Sequence, residues 1–112
     1  MKECFKVELS SEVREFLRGV GEKAKTKILY NIAKAQRVND KDLFKKLTTE
    51  IWEFRTLFND THYRIFAFWD KTGPIDTLVL TTHGIVKKTA KTPQSDLDKA
   101  ERIRKIYFDR KQ

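Results

Sequence analysis

Between residues 49 and 88 the chain carries three β-type runs spaced too closely for helical crossovers, so only antiparallel neighbours can connect them. The first spans roughly 49–58 and the second 62–70, and "KTGP" at 71–74 turns into the third, "IDTLVLTTHGIVKK". The rest of the chain must pack around this sheet. Upstream, "CFKVEL" alternates Phe5, Val7 and Leu9 with Lys6 and Glu8, the period of a strand with one buried face. Ser10 or Ser11 can cap a helix in which Val13, Phe16, Leu17 and Val20 recur at helical spacing, and the Gly19 to Gly21 region ends or bends it. A second helix aligns Ala24, Ile28, Leu29, Ile32 and Ala35, with Lys23, Lys27 and Lys34 mainly opposite. The two helices are expected as a hairpin on the sheet.

"NDKDLFKKL" reads as a loop and a short helical turn, with Leu43, Phe44 and Leu47 pointing inward. Pro93 blocks continuation, Ser95 with Asp98 gives a capping-box-like start, and Leu97, Ala100, Ile103 and Tyr107 form the apolar stripe of a final helix. The expected order is β-α-α-β-β-β-α, a small α+β domain occupying residues 1–112.

The composition excludes two classes. Apolar residues make up 39% and charged residues 36%, too polar for a membrane protein, while 12% aromatics is too many for a disordered chain. No apolar run reaches membrane-spanning length and "MKECFKVELS" lacks the apolar core of a signal peptide, so a cytoplasmic protein is expected. Cys4, the single cysteine, cannot close an internal disulfide and makes a poor zinc ligand alone. It is expected to pack as a small apolar residue beside the first strand. The net charge of +8 favours a polyanionic partner, because neutralising phosphates releases counterions. From Lys87 to Gln112 nine basic residues face four acidic ones, so this quarter supplies +5 of the +8.

The charged residues inside the strands are the functional question. Alternate residues of a strand share a face, so Glu53 and Arg55 project together, Trp52 and Phe54 the other way, and a hairpin partner can bring Arg64 alongside the first pair. Lys87 and Lys88 arrive from the last strand on opposite faces, so at most one of them meets this group directly. If the helices cover the Trp52/Phe54 face, the other face becomes a concave cationic surface with a built-in acid. Cross-strand ion pairs on a wet sheet face, each worth a few tenths to about 1 kcal/mol, would use the same residues. The residues alone leave both readings open. His83 could move a proton near pH 7, although a lone histidine near a strand end is more often packed or hydrogen-bonded. His62, beside a turn, ranks lower.

"LTTEIWEFRTLFNDTHYRIFAFWD", "THGIVKKTAKTP" and "ERIRKIYF" closely resemble the HigB-like, phage-related branch of the RelE/ParE toxin superfamily of type II toxin–antitoxin systems. The resemblance covers nearly the whole chain. Its most specific parts are the Trp52-Glu53-Phe54-Arg55 strand, the Tyr63-Arg64 pair, and Lys87-Lys88-Thr89 to Thr92-Pro93 leading into a helix containing Ala100. Ile85 departs from the pattern, since relatives commonly place an aromatic residue there.

The resemblance implies a RelE-like fold with a twisted, mainly antiparallel sheet, packed against an N-terminal helical hairpin and a C-terminal helix. It implies a ribosome-dependent endoribonuclease that cuts messenger RNA in the ribosomal A site. It also implies a helix-turn-helix antitoxin, through which alone operator DNA would be contacted. No metal or cofactor is implied, because the 2′-hydroxyl attacks the adjacent phosphate. Arg55 and Arg64 suit charge stabilisation at phosphorus, since a guanidinium fork matches phosphate oxygens. Glu53 is the plainest candidate base, and Lys87 and His83 complete the candidate catalytic set. Lys88 and Lys91 are candidate RNA contacts. Tyr107 has the family position for stacking on a base, while the helical stripe argues equally for a core residue. Two other readings stay open: a ParE-like gyrase poison, and a basic module that binds RNA without cutting it. Message cleavage in an arrested translation extract separates the nuclease from the gyrase poison, and in a non-cutting RNA binder replacing Arg64 would weaken binding without exposing any lost chemistry.

Overall fold

The computed structural model describes residues 3–73, 78–89 and 91–111. Strand β1 (Lys6–Glu8) leads into helix α1 (Ser11–Gly19), where the Ser10 hydroxyl accepts a hydrogen bond from Val13 N at 3.1 Å and caps the first turn. Gly21, at φ 93°, adopts a backbone conformation that a side chain would disfavour and lets helix α2 (Glu22–Ala35) fold back beside α1. Val13, Leu17, Ala24, Ile28, Ile32 and Ala35 are buried, as their spacing predicts. Asn31 is buried among them, and its Nδ2 donates to Thr56 Oγ1 at 3.1 Å.

The next element differs from expectation. Residues of the anticipated helical turn form strand β2 (Phe44–Lys46), antiparallel to strand β3 (Trp52–Phe58). The reason is aromatic: Phe44 lies against Phe54 at 4.2 Å between ring centres and against Trp52 at 4.9 Å, and a strand register brings all three to one face. Leu43 and Leu47 are half-buried on either side. A two-residue turn joins β3 to strand β4 (Thr61–Asp70), with Asn59 and Asp60 both at positive φ, 51° and 57°, as a tight right-twisted hairpin requires. Strand β5 (Leu78–Lys87) completes the antiparallel run. The end of the expected turn and the first residues of the third expected strand fall on 74–77, outside the described residues.

The sheet order is β1-β5-β4-β3-β2, with β1 parallel to β5. Ser10 N donates to Thr81 Oγ1 at 2.9 Å and Ser10 Oγ to Thr82 O at 3.1 Å, fastening the start of α1 to β5. Gly84 has no side chain because the Phe16 ring lies directly over it, where a Cβ would collide. Between β4 and β5 the register slips, with Ile65 opposite Gly84 but Ala67 opposite Thr81. Thr82 and His83 therefore both face Phe66, a bulge that turns the side chains locally.

Helix α3 (Gln94–Lys111) lies on the other face. It starts directly after Pro93, whose carbonyl accepts from Asp96 N and Leu97 N. Ser95 thus sits in the first turn and is not the cap, because the helix begins one residue earlier, at Gln94. The sheet separates two cores, one under α1 and α2 containing Phe5, Phe54, Ile65, Ala67 and Val79, the other under α3 containing Ile51, Phe66, Phe68 and Ala100. Leu97 and Tyr107 pack against the second core, as the stripe implied. Cys4 corrects its expectation: β1 begins only at Lys6, leaving the thiol exposed while Cys4 N donates to Gln36 O. No helix among the described residues is long and apolar enough to cross a membrane. The architecture is α+β, consistent with a RelE-like fold.

Candidate functional site

The register sets the site. Arg55 on β3 lies opposite Arg64 on β4, which lies opposite Ile85 on β5, and one step along the sheet His62 lies opposite Lys87. Strand alternation puts Glu53, Arg55, Arg64 and Lys87 on the α3 side, away from Trp52 and Phe54. α3 covers only part of that face, over Phe66 and Phe68, so the charged group sits at its margin.

Glu53 is the centre of the group and is 2% exposed. Arg64 Nε stands 3.4 Å from Glu53 Oε1, and Arg55 Nε stands 3.5 Å from Oε2. Thr92, from the segment entering α3, donates to Glu53 Oε1 at 3.4 Å. Arg64, also 2% exposed, directs its terminal nitrogens to Tyr63 O and to His62 Nδ1, both at 3.4 Å. These contacts are long, and the accounts do not close. Among the described residues, Arg55 Nε, Arg64 Nε and Lys87 Nζ are buried without a hydrogen-bond partner.

The electrostatics agree with the geometry. Burial lowers the Arg64 pKa, Glu53 opposes that shift, and Arg55 adds to it. Burial also lowers the Lys87 pKa, with the Arg64 charge next in effect. Three cations facing one carboxylate leave an excess of positive charge whose donors lack acceptors. A buried ion pair is rarely retained for stability, because desolvation offsets most of its attraction, and unsatisfied donors make the balance worse. An anion would complete this arrangement. Beside it opens a shallow cleft of about 210 Å³ lined by Asp42, Arg55, Thr56, Leu57, His62 and Arg64.

The family model described as Phage derived protein Gp49-like (DUF891) matches residues 15–105. The chain belongs to that family. It is a phage-derived family associated with RelE-like toxins, which gives this Gp49-like protein a toxin–antitoxin context. Searches of the curated proteins and of the solved structures return no match.

Other candidate residues of the Gp49-like chain lie outside the cluster. His83 is 2% exposed and stacks on Phe66 at 4.8 Å, with Nδ1 3.0 Å from Thr82 Oγ1 and Nε2 3.1 Å from Asp96 Oδ1. Burial lowers its pKa despite the hydrogen bond to Asp96, so the ring is held neutral and pins the first turn of α3 to the bulge. Tyr107 meets Phe68 edge-on at 5.3 Å and donates to Asp70 Oδ2 at 2.5 Å. Asp70 is six residues from Arg64 along β4, roughly 20 Å away. Lys88 is exposed beyond the end of β5 and donates to Thr61 Oγ1 at 3.4 Å, and Lys91 is exposed.

The positive charge gathered in the last quarter of the chain also has a structural use. Lys99 pairs with Glu12, Arg104 with Glu50 and Lys111 with Asp70, tying α3 to the rest of the protein. Sequence reasoning left Thr92 out of the site and ranked His62 low. Thr92 falls in the Lys87-Lys88-Thr89 to Thr92-Pro93 segment of the resemblance, which is the available signal, whereas the pairing of His62 with Lys87 follows once the register of two strands is known.

Proposed function

We propose that the protein is the toxin of a type II toxin–antitoxin pair, of the HigB-like kind, and a metal-independent endoribonuclease that cuts messenger RNA in the ribosomal A site. The observation that carries this reading is the set of three buried cationic nitrogens, Arg55 Nε, Arg64 Nε and Lys87 Nζ, that lack a hydrogen-bond partner among the described residues, the two arginines making only long ion pairs with the Glu53 carboxylate. A phosphodiester supplies the missing acceptors. Glu53 takes the proton of the 2′-hydroxyl, and the 2′-oxygen forms a bond to phosphorus as the bond to the 5′-oxygen breaks. Lys87 returns a proton to that leaving oxygen. The products are a cyclic phosphate and a 5′-hydroxyl end. Extra negative charge on phosphorus during this exchange falls between Arg55 and Arg64, whose fixed donors need no reorganisation to receive it. The partners in this reading are the ribosome with its message and a helix-turn-helix antitoxin, through which alone operator DNA is contacted.

Expression without an antitoxin is expected to stop growth through translation. Pulse labelling should show amino-acid incorporation falling before thymidine incorporation. The reverse order would identify a gyrase poison and overturn the reading.

The role of Lys87 makes a separate prediction about pH. An acid must be protonated to act, so the single-turnover rate falls as pH rises through the Lys87 pKa, and burial places that limb below the 10.5 of an ordinary lysine. Lys87→Arg should remove the limb from the accessible range, because arginine stays protonated above pH 12. An unchanged limb in that variant would reassign the acid.

A further inference from the structure

The chain has two tryptophans, Trp52 and Trp69, and both line the same cleft. Their rings meet edge to face at 5.6 Å. On one side they border a cavity of about 480 Å³ shared with Lys46, Thr49, Glu50 and Lys71, a size typical of small-ligand sites. On the other a cavity of about 220 Å³ continues inward to Phe5 and Phe44. The Trp69 indole Nε1 is buried without a hydrogen-bond partner among the described residues. Lys71 Nζ lies 5.2 Å from the centre of the Trp69 ring. The acid at the mouth, Glu50, is already engaged by Arg104 at 3.1 Å, and among the described residues neither Lys46 nor Lys71 makes an ion pair.

We propose that this cleft binds single-stranded RNA, with an unpaired base stacked against the indoles and the flanking phosphates held by Lys46 and Lys71. Aromatic walls with Lys46 beside them and Lys71 over the Trp69 ring, from which its flexible chain can swing to a phosphate, suit this ligand, because every base has a π face and stacking tolerates any sequence. An acidic peptide would meet the lysines but leave the indole faces without a matching surface. Trp69 and Arg64 are five residues apart on β4, roughly 16 Å, and point to opposite faces of the sheet. The cleft is therefore a contact separate from the one presented to Glu53. The inference rests on the reading of the protein as one that acts on RNA.

Indole emission reports on this cleft alone, so the test is a fluorescence titration of the whole chain with an uncleavable 2′-O-methyl decanucleotide. Saturable quenching is expected. Lys46 and Lys71 are both exposed, so the double variant Lys46→Gln/Lys71→Gln should keep its melting curve. It should bind about tenfold more weakly, with a salt slope smaller by about 1.4 for two lost phosphate contacts. Arg64→Ala should quench like the parent. Four results would each overturn the inference: no quenching, equal quenching by an abasic oligomer of the same length, equal or stronger quenching by a glutamate-leucine peptide, or loss of quenching by the folded fraction of Arg64→Ala, taken from its melting curve. Failed quenching in a protein that still cuts message on ribosomes sinks this inference alone. Quenching in a protein that leaves message intact supports it and sinks the nuclease reading instead.

Discussion

Arg64→Ala is expected to lower single-turnover cleavage on programmed ribosomes by roughly two to three orders of magnitude, the loss found when one preorganised donor to a developing anion is removed. The side chain is 2% exposed, so its removal also leaves a void and leaves Glu53 with Arg55 as its only nearby guanidinium. Breaking a buried ion pair costs about 3–5 kcal/mol. The rate must therefore be expressed per folded molecule, with a melting curve taken beside it. Arg64→Lys separates the two effects. It keeps the charge and most of the volume but loses the planar fork, so stability should recover further than rate. If the folded fraction of either variant cuts at the parental rate, Arg64 is a strut that holds Glu53 in place and contributes nothing to the chemistry.

A second effect on stability is expected at the far end of β4. Asp70 is 4% exposed and collects Thr72 N at 2.9 Å, the Thr72 hydroxyl at 2.6 Å, the Tyr107 hydroxyl at 2.5 Å and the Lys111 ammonium at 3.1 Å. Burial alone would raise its pKa, but these donors outweigh burial and hold the carboxyl well below the usual range. A depressed folded-state pKa contributes stability that is fully present above the unfolded value, about 3.9, and is lost as pH falls through the range beneath it. Asp70→Ala removes the acceptor shared by Tyr107, which is half-buried, and by the exposed Thr72 and Lys111, and should cost about 2 kcal/mol at neutral pH. Urea unfolding between neutral and acid pH should show the parent losing this margin, while the variant changes less. Parallel curves would remove Asp70 from the account. The same pair acts in the opposite sense in alkali: burial and Asp70 push the Tyr107 hydroxyl up to about 12, so its contribution is intact below about pH 10 and fades above it. Tyr107→Phe should abolish that alkaline loss.

Much of this was legible from side-chain spacing alone. Alternation along Trp52-Glu53-Phe54-Arg55 sorts the two faces correctly, and the apolar lines of α1, α2 and α3 name most of the buried residues. Strand β2 was not legible, because three residues carry no measurable period and Phe44 is drawn into the sheet by rings brought from elsewhere in the chain. Neither the parallel pairing of β1 with β5 nor the bulge that faces His83 to Asp96 is a property of one segment. At the site, spacing brought Glu53, Arg55 and Arg64 together but could not foresee that three cationic nitrogens would be buried without acceptors. That depends on how closely α3 and the segment bearing Thr92 approach the sheet.

The pairing of β1 with β5 also bears on how the protein comes into being. Ser10 binds Thr81 and Thr82 across 71 and 72 residues of chain, and Lys6 pairs in register with Leu78. Contacts this distant form late, since the whole intervening loop must close before they stabilise anything. During synthesis Glu53 and Arg64 emerge well before Lys87 and Thr92, so the four cannot meet until the chain through Thr92 has left the exit tunnel. A nascent chain cut short before β5 would lack the neighbour of its first strand and a cation of its pocket. Such a fragment lacks the complete candidate site, because Lys87 and Thr92 reach Glu53 and Arg64 only after β5 is made.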